Sequence, residues 1–102
     1  MRTCIELLLK NAPPGAVAKV ESRNFKARYL RLNPNEQRRV DMVIALLESG
    51  EYHPLLRWHR LRGEWAGHQS VSVGGDLRIV YGKIEGVICL IALGTHAELH
   101  GE

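Results

Sequence analysis

The run HRLRGEWAGHQSVSVGGDLRIVYGKIEGVICLIALGTHAELH, His59 to His100, decides how this 102-residue chain folds. From Gly67 to Val73 the residues alternate. Val71 and Val73 fall on one face of an extended strand, and His68, Ser70 and Ser72 on the other. Gly74-Gly75-Asp76 follows as a tight turn, because glycine reaches the positive φ that short hairpins need. Leu77 to Lys83 returns as a β-branched and aromatic strand. After a second turn at Ile84-Glu85-Gly86, Val87 to Leu93 has no polar face, which predicts a central strand covered on both sides. The result is an antiparallel meander with its polar residues gathered at the ends and along one face.

Upstream, Ala12-Pro13-Pro14-Gly15 breaks the chain after a leading segment, residues 1–15, whose structure the residues leave open. Ala16 to Glu21 can form a first strand. Ser22 is an N-cap candidate for a helix with Phe25, Tyr29 and Leu32 on one stripe and Arg23, Lys26, Arg28 and Arg31 on its other faces. Asn33-Pro34-Asn35-Glu36 is the clearest local signal, with an N-cap, a proline at the first helical position and a glutamate at the third. Val40, Val43, Ile44 and Leu47 repeat at helical spacing, and Gly50 fits a C-terminal stop. Two helices joined this tightly form a hairpin that must bury its stripes on the sheet. The expected fold is α+β: one domain over 1–102, the helix hairpin packed on a 3–4-stranded antiparallel sheet, the Asn33-capped helix lying over Val87 to Leu93.

A hydrophobic fraction of 45% with 25% charged residues is ordinary for a globular domain. No apolar run approaches the ~20 residues that span a bilayer, and MRTCIELLLK precedes no small-residue cleavage site, so a cytoplasmic protein without membrane contact is expected. Cys4 and Cys89 are too few for a disulfide framework, and Cys89 in the apolar strand reads as a small hydrophobe in a reducing compartment. Charge is uneven. Residues 1–83 carry fourteen Lys and Arg against eight acids, a net of +6, whereas residues 84–102 carry three acids and no Lys or Arg, −3. A basic body suits an anionic partner such as nucleic acid or an acidic protein. The connection Glu51 to Arg62 adds Arg57, Arg60 and Arg62 beside Trp58, His53 and His59.

His59-x-Leu61-x-Gly63-x-Trp65-x-Gly67, then Asp76 opening LRIVY, then Gly94-Thr95-His96-Ala97-Glu98-Leu99, resemble the YafQ branch of the RelE/ParE toxin superfamily. The likeness covers about residues 16–100. It implies a microbial-RNase-like, RelE-like fold and the toxin of a type II toxin–antitoxin module. In that branch the toxins are ribosome-associated mRNA endoribonucleases held inactive by an antitoxin. His59, Asp76 and His96 fall on positions the family uses catalytically. The chain departs from the pattern at Ser72, where such toxins carry another histidine, at Leu77 in place of tryptophan, and at His100 in place of an aromatic. The implied partners are a cognate antitoxin, the ribosome and mRNA, with a monomeric toxin that forms a hetero-oligomer with its antitoxin.

The residues themselves suit that chemistry. RNA carries its own nucleophile, the 2′-OH, so a protein must remove its proton, protonate the leaving 5′-oxygen and stabilise the phosphorane. Histidine serves both transfers, with an unperturbed pKa near ~6.5. Asp76 can fix an imidazole tautomer or act as a base. Arg57, Arg60, Arg62 and Arg78, with His100, are the expected RNA-binding residues. No metal or cofactor is expected: His96 and His100 stand at i, i+4, but HAELH lacks the adjacent glutamate of a zinc hydrolase. His53 and His68 read as surface or capping histidines, Trp58 and Trp65 as packing residues, and Asp76 alone as turn chemistry. Competing functions are a ParE-like inhibitor of DNA gyrase, and a catalytically weakened toxin that binds antitoxin and co-represses its operon.

Overall fold

The computed structural model describes residues 19–50 and 54–100, apart from the side chains of Leu55, Glu64 and His100. The leading segment, the start of the first strand and His53 lie outside them. Five strands form one sheet in the order β1-β5-β4-β3-β2: β1 Lys19–Glu21, β2 His59–Arg60, β3 Gln69–Gly74, β4 Leu77–Ile84 and β5 Val87–Thr95. Helices α1 (Arg23–Leu30) and α2 (Pro34–Ser49) form the expected hairpin, and a short α3 (His96–His100) follows β5 directly. No helix among the described residues is long and apolar enough to cross a membrane.

The meander pairs antiparallel from β2 through β5. Its β4–β5 turn has positive φ at Glu85 (50°) and Gly86 (81°), the conformation that suits a two-residue hairpin. The sheet is nonetheless mixed, because β1 pairs parallel to β5, Lys19 opposite Ile88, and larger than expected, because β2, within the expected connection Glu51 to Arg62, pairs with β3. Parallel pairing needs a long crossover, and the helix hairpin with the rest of the meander supplies it. β5 therefore lies inside the sheet, as its unbroken apolar run requires.

Ser22 welds the first helix to that strand. Its backbone N–H donates to the Leu90 carbonyl at 2.9 Å and its hydroxyl to the Ile91 carbonyl at 2.6 Å. The same oxygen accepts the Phe25 N–H at 3.0 Å and so caps α1. In α2 the capping box is complete: Asn33 Oδ1 accepts from the Glu36 N–H at 2.9 Å and Glu36 Oε1 from the Asn33 N–H at 3.0 Å. Gly50 ends the helix with φ 81°.

On the helix side, Phe25, Val40, Val43, Ile44 and Leu47 pack with Val71, Val73, Ile79, Tyr81, Ile88 and Leu90. Each such burial is worth roughly 1.5–3 kcal/mol. The helices are arranged differently from expectation: α1 is the helix that lies on β5, and α2 lies on β3. The Ser22 weld holds α1 at the β5 edge, and the tight Leu30–Pro34 connection then carries α2 across the sheet. On the far face a smaller cluster gathers Val20, Val80, Ile91 and Ala92, with Leu61, Trp65 and Leu99 leaning on it. Cys89, read from the sequence as a free small hydrophobe, is disulfide-bonded.

Candidate active site

Cross-strand partners project to the same face of a sheet, so the register sorts the polar residues. His59 pairs with Ser70, Ser70 with Val80 and Val80 with Ala92. The next row on that face is Ser72, Arg78 and Gly94. Val71, Val73 and Ile79 belong to the helix side, so this row faces away from the helices. One residue beyond the Leu77–Thr95 pair stand Asp76 and His96. Asp76, in the turn before β4, and His96, the first residue of α3, thus stand at the same end of the sheet, both exposed. His59 stands on the same open face two rows back, about 14 Å along the strand direction.

A cleft of about 730 Å3 opens at this end of the β3–β4 hairpin, lined by Arg39, Arg57, Ser72, Gly74, Gly75 and Arg78, with Met42, Leu46 and Leu56 as an apolar wall. Of the four arginines nominated from the sequence, Arg57 and Arg78 reach it. Arg60 pairs with Gln69, which turns it to the opposite face from His59, and Arg62 is exposed outside the cleft. Arg39 of α2 joins them unannounced. A side chain at Gly74 (φ +125°) would meet the Arg39 Nε at 3.2 Å, so the bulge at this glycine makes room for the guanidinium. Nothing local in the sequence marks Arg39, which sits among the polar positions of α2.

His59 Nδ1 lies 3.1 Å from the Arg57 carbonyl. A carbonyl only accepts, so the proton is on Nδ1 and Nε2 is left to exchange one. Arg57 makes this possible through left-handed backbone, φ 49°, which turns the chain from a 3₁₀ turn at Pro54–Leu56 into β2.

His96 opens α3 within a second capping box. Glu98 N–H donates to Thr95 Oγ1 at 3.2 Å, and Thr95 N–H donates to Glu98 Oε1 at 2.9 Å. Arg28 closes on the same carboxylate, Nη2 to Oε1 at 2.9 Å and Nε to Oε2 at 3.2 Å. The guanidinium first, and the Thr95 N–H second, hold the Glu98 carboxyl at about 2. Gly94 is small for a related reason: a Cβ there would stand 3.3 Å from the Glu98 Cβ.

The open face also holds buried polar atoms with no hydrogen-bond partner among the described residues: both ring nitrogens of His68, the Ser70 hydroxyl and Arg78 Nε. Native proteins leave few such groups, and they concentrate where function requires them. His68, expected at the surface, is 7% exposed and lies edge-on to Trp65, ring centroids 6.2 Å apart. Trp65 folds over it from the 3₁₀ turn at Gly63–Trp65. Trp58 donates its indole N–H to the Tyr81 hydroxyl at 2.8 Å, a packing role. Among the described residues no group of three or more His, Cys, Asp or Glu stands close enough to hold a metal ion.

Comparison with known proteins places the chain and its fold. The sequence model of a family described as "Bacterial toxin of type II toxin-antitoxin system, YafQ" matches residues 18–101. Among solved structures, YafQ from E. coli strain BL21(DE3) superposes with a TM-score of 0.71 at 19% identity, over 81% of this chain and 97% of that one. The YafQ structure in the E. coli DinJ-YafQ complex gives 0.66 at 21% identity, over 81% and 97%. The YoeB-YefM complex from Staphylococcus aureus gives 0.67 at 14% identity, over 80% and 99%. No curated protein sequence matches the chain significantly.

Proposed function

Because the chain belongs to the YafQ family of type II toxin–antitoxin toxins, we propose that it is a ribosome-dependent mRNA endoribonuclease. The observation that supports this reading is that Asp76 and His96 each lie one residue beyond the Leu77–Thr95 pair, at the end of the β3–β4 hairpin where Arg39, Arg57 and Arg78 line a cleft. The RNA 2′-oxygen attacks the adjacent phosphorus, its proton leaves to a base, and the 5′-oxygen departs with a proton from an acid. His96 is suited to one transfer, with Asp76 orienting its imidazole or taking the proton itself. His59, with Nε2 free to exchange, is the second imidazole on the same face. Arg57 and Arg78 bear on the charge of the phosphorane, where positioned donors are usually the largest single contribution. None of these roles calls for a metal or cofactor. Arg60, Arg62 and His100 extend the RNA contact.

The partner is an antitoxin, the relation in which the E. coli and S. aureus relatives were crystallised. An acidic, partly disordered segment suits the basic cleft, and the toxin alone is monomeric and cytoplasmic. One observation favours a second reading, a weakened toxin that mainly binds antitoxin: Ser72 lies in the Arg78 row where the family pattern has a histidine.

The test is His96→Gln, which keeps size and polarity but exchanges no proton near neutrality. Cleavage of translated mRNA, mapped by primer extension in a purified translation system, is expected to fall ~10²–10⁴-fold while the circular dichroism spectrum and antitoxin binding are retained. Cutting at the wild-type rate would remove His96 from the mechanism. Discrete cuts absent from the wild-type chain itself would favour the second reading.

A further inference from the structure

We infer that Arg28 and Glu98 are positioning residues for His96, joined with Thr95 in a clasp that fixes the backbone from which the imidazole projects. The inference rests on His96 being a proton-transfer group, as proposed above.

α3 has five residues, His96–His100. A helix that short does not persist by itself, because nucleation is costly and few bonds repay it. Its described apolar contact with the sheet is the partly buried Leu99. What holds it is polar. The two reciprocal Thr95–Glu98 bonds close a ring around the backbone of His96. The Arg28 fork takes both oxygens of that Glu98 carboxylate, a geometry that restricts orientation as well as distance.

Arg28 is itself anchored. It lies in the last turn of α1, whose Phe25 is fully buried and whose cap Ser22 is bonded to Leu90 and Ile91 of β5. Glu98 is therefore tied through α1 to the strand that leads into His96. The Leu77–Thr95 pair anchors the other side of the same backbone, since Thr95 directly precedes His96. The clasp and the strand pairing thus hold the start of α3 from independent anchors.

Magnitudes separate this role from a merely structural one. The Glu98 side chain is 44% exposed, and an ion pair so open adds little to stability. A displacement of about 1 Å at a reacting group, in contrast, can cost ~100-fold in rate. Loss of the clasp should therefore lower turnover far more than it lowers melting temperature.

The experiment compares Glu98→Ala, Glu98→Gln, Arg28→Gln and His96→Gln in the full chain, measuring mRNA cleavage against ribosome concentration in a purified translation system, with thermal melts alongside. Glu98→Ala removes both halves of the clasp and is expected to lower kcat ~10–100-fold with KM within about twofold. Glu98→Gln retains a capping box and should be partly rescued, with a loss close to that of Arg28→Gln. If Glu98→Ala turns over within about twofold of wild type while His96→Gln is inactive, the clasp is not a positioning device and the assignment of His96 stands. A rise in KM with kcat unchanged also overturns the clasp, because the residues then act on binding. If His96→Gln itself cleaves at the wild-type rate, the proposed mechanism falls and takes the clasp's catalytic role with it.

Discussion

The two faces of the sheet are built to opposite rules. Toward α1 and α2, the buried core from Phe25 to Leu93 is hydrophobic and packed together. On the open face, His68, Ser70 and Arg78 bury polar atoms with no hydrogen-bond partner among the described residues. The first face supplies stability. On the function proposed above, the second gives up part of it to hold polar groups ready for RNA, the usual exchange at a functional surface. Substitutions on the two faces should consequently move different observables.

The largest effect is expected from Phe25→Ala, which empties a fully buried ring site under α1. It should cost roughly 3–5 kcal/mol in urea denaturation, and a loss below about 1 kcal/mol would mean that the helix side does not carry the fold. Next, Arg78→Gln should lower mRNA cleavage ~100-fold while leaving the denaturation midpoint nearly unchanged. Equal losses in both would erase the division between the faces. Ser70→Ala runs with the opposite sign. Ser70 is 1% exposed and its hydroxyl has no hydrogen-bond partner among the described residues, so removing it should raise stability by about 1 kcal/mol. Destabilisation of that size would show that Ser70 is bonded in solution.

The smallest effect is one of pH. Glu98 is held at about 2, below the ordinary 4.5, chiefly by Arg28. A depressed carboxyl contributes its stabilisation fully above the unfolded value and loses it as pH falls through the folded one. Amides of Thr95 to Leu99 should then begin to exchange faster below about pH 4.5, with the clasp released near pH 2. Salt should weaken the same contact, since the pair is exposed. Protection that is flat across that window would detach Glu98 from the tail's order.

The meander and the helix hairpin were legible because their signals are local. Alternation at Gln69–Gly74, glycines at the turns and the Asn33–Glu36 box each lie within a few residues of what they determine. The candidate site was legible more thinly. Asp76 and His96 were nominated from a resemblance, and their place at one end of the sheet follows from the Leu77–Thr95 register, which turn length sets. Arg60 was nominated beside Arg57, yet a two-residue strand turns its side chain away from His59's face.

By itself, then, the sequence determined the α+β class, the order of the first strand, the helix hairpin and the three long strands, the interior place of Val87 to Leu93 and the basic character of the chain. Periodicity, caps and turn residues act over short range and need no distant partner. Only the tertiary structure decided that β1 joins β5 in parallel, that Arg39 stands over Gly74, that His68 lies buried beneath Trp65, and that Arg28 grips Glu98 seventy residues away. Each depends on which distant surfaces meet when the core closes. A side chain's type does not carry that information, because an exposed arginine and a clasping one are written with the same letter.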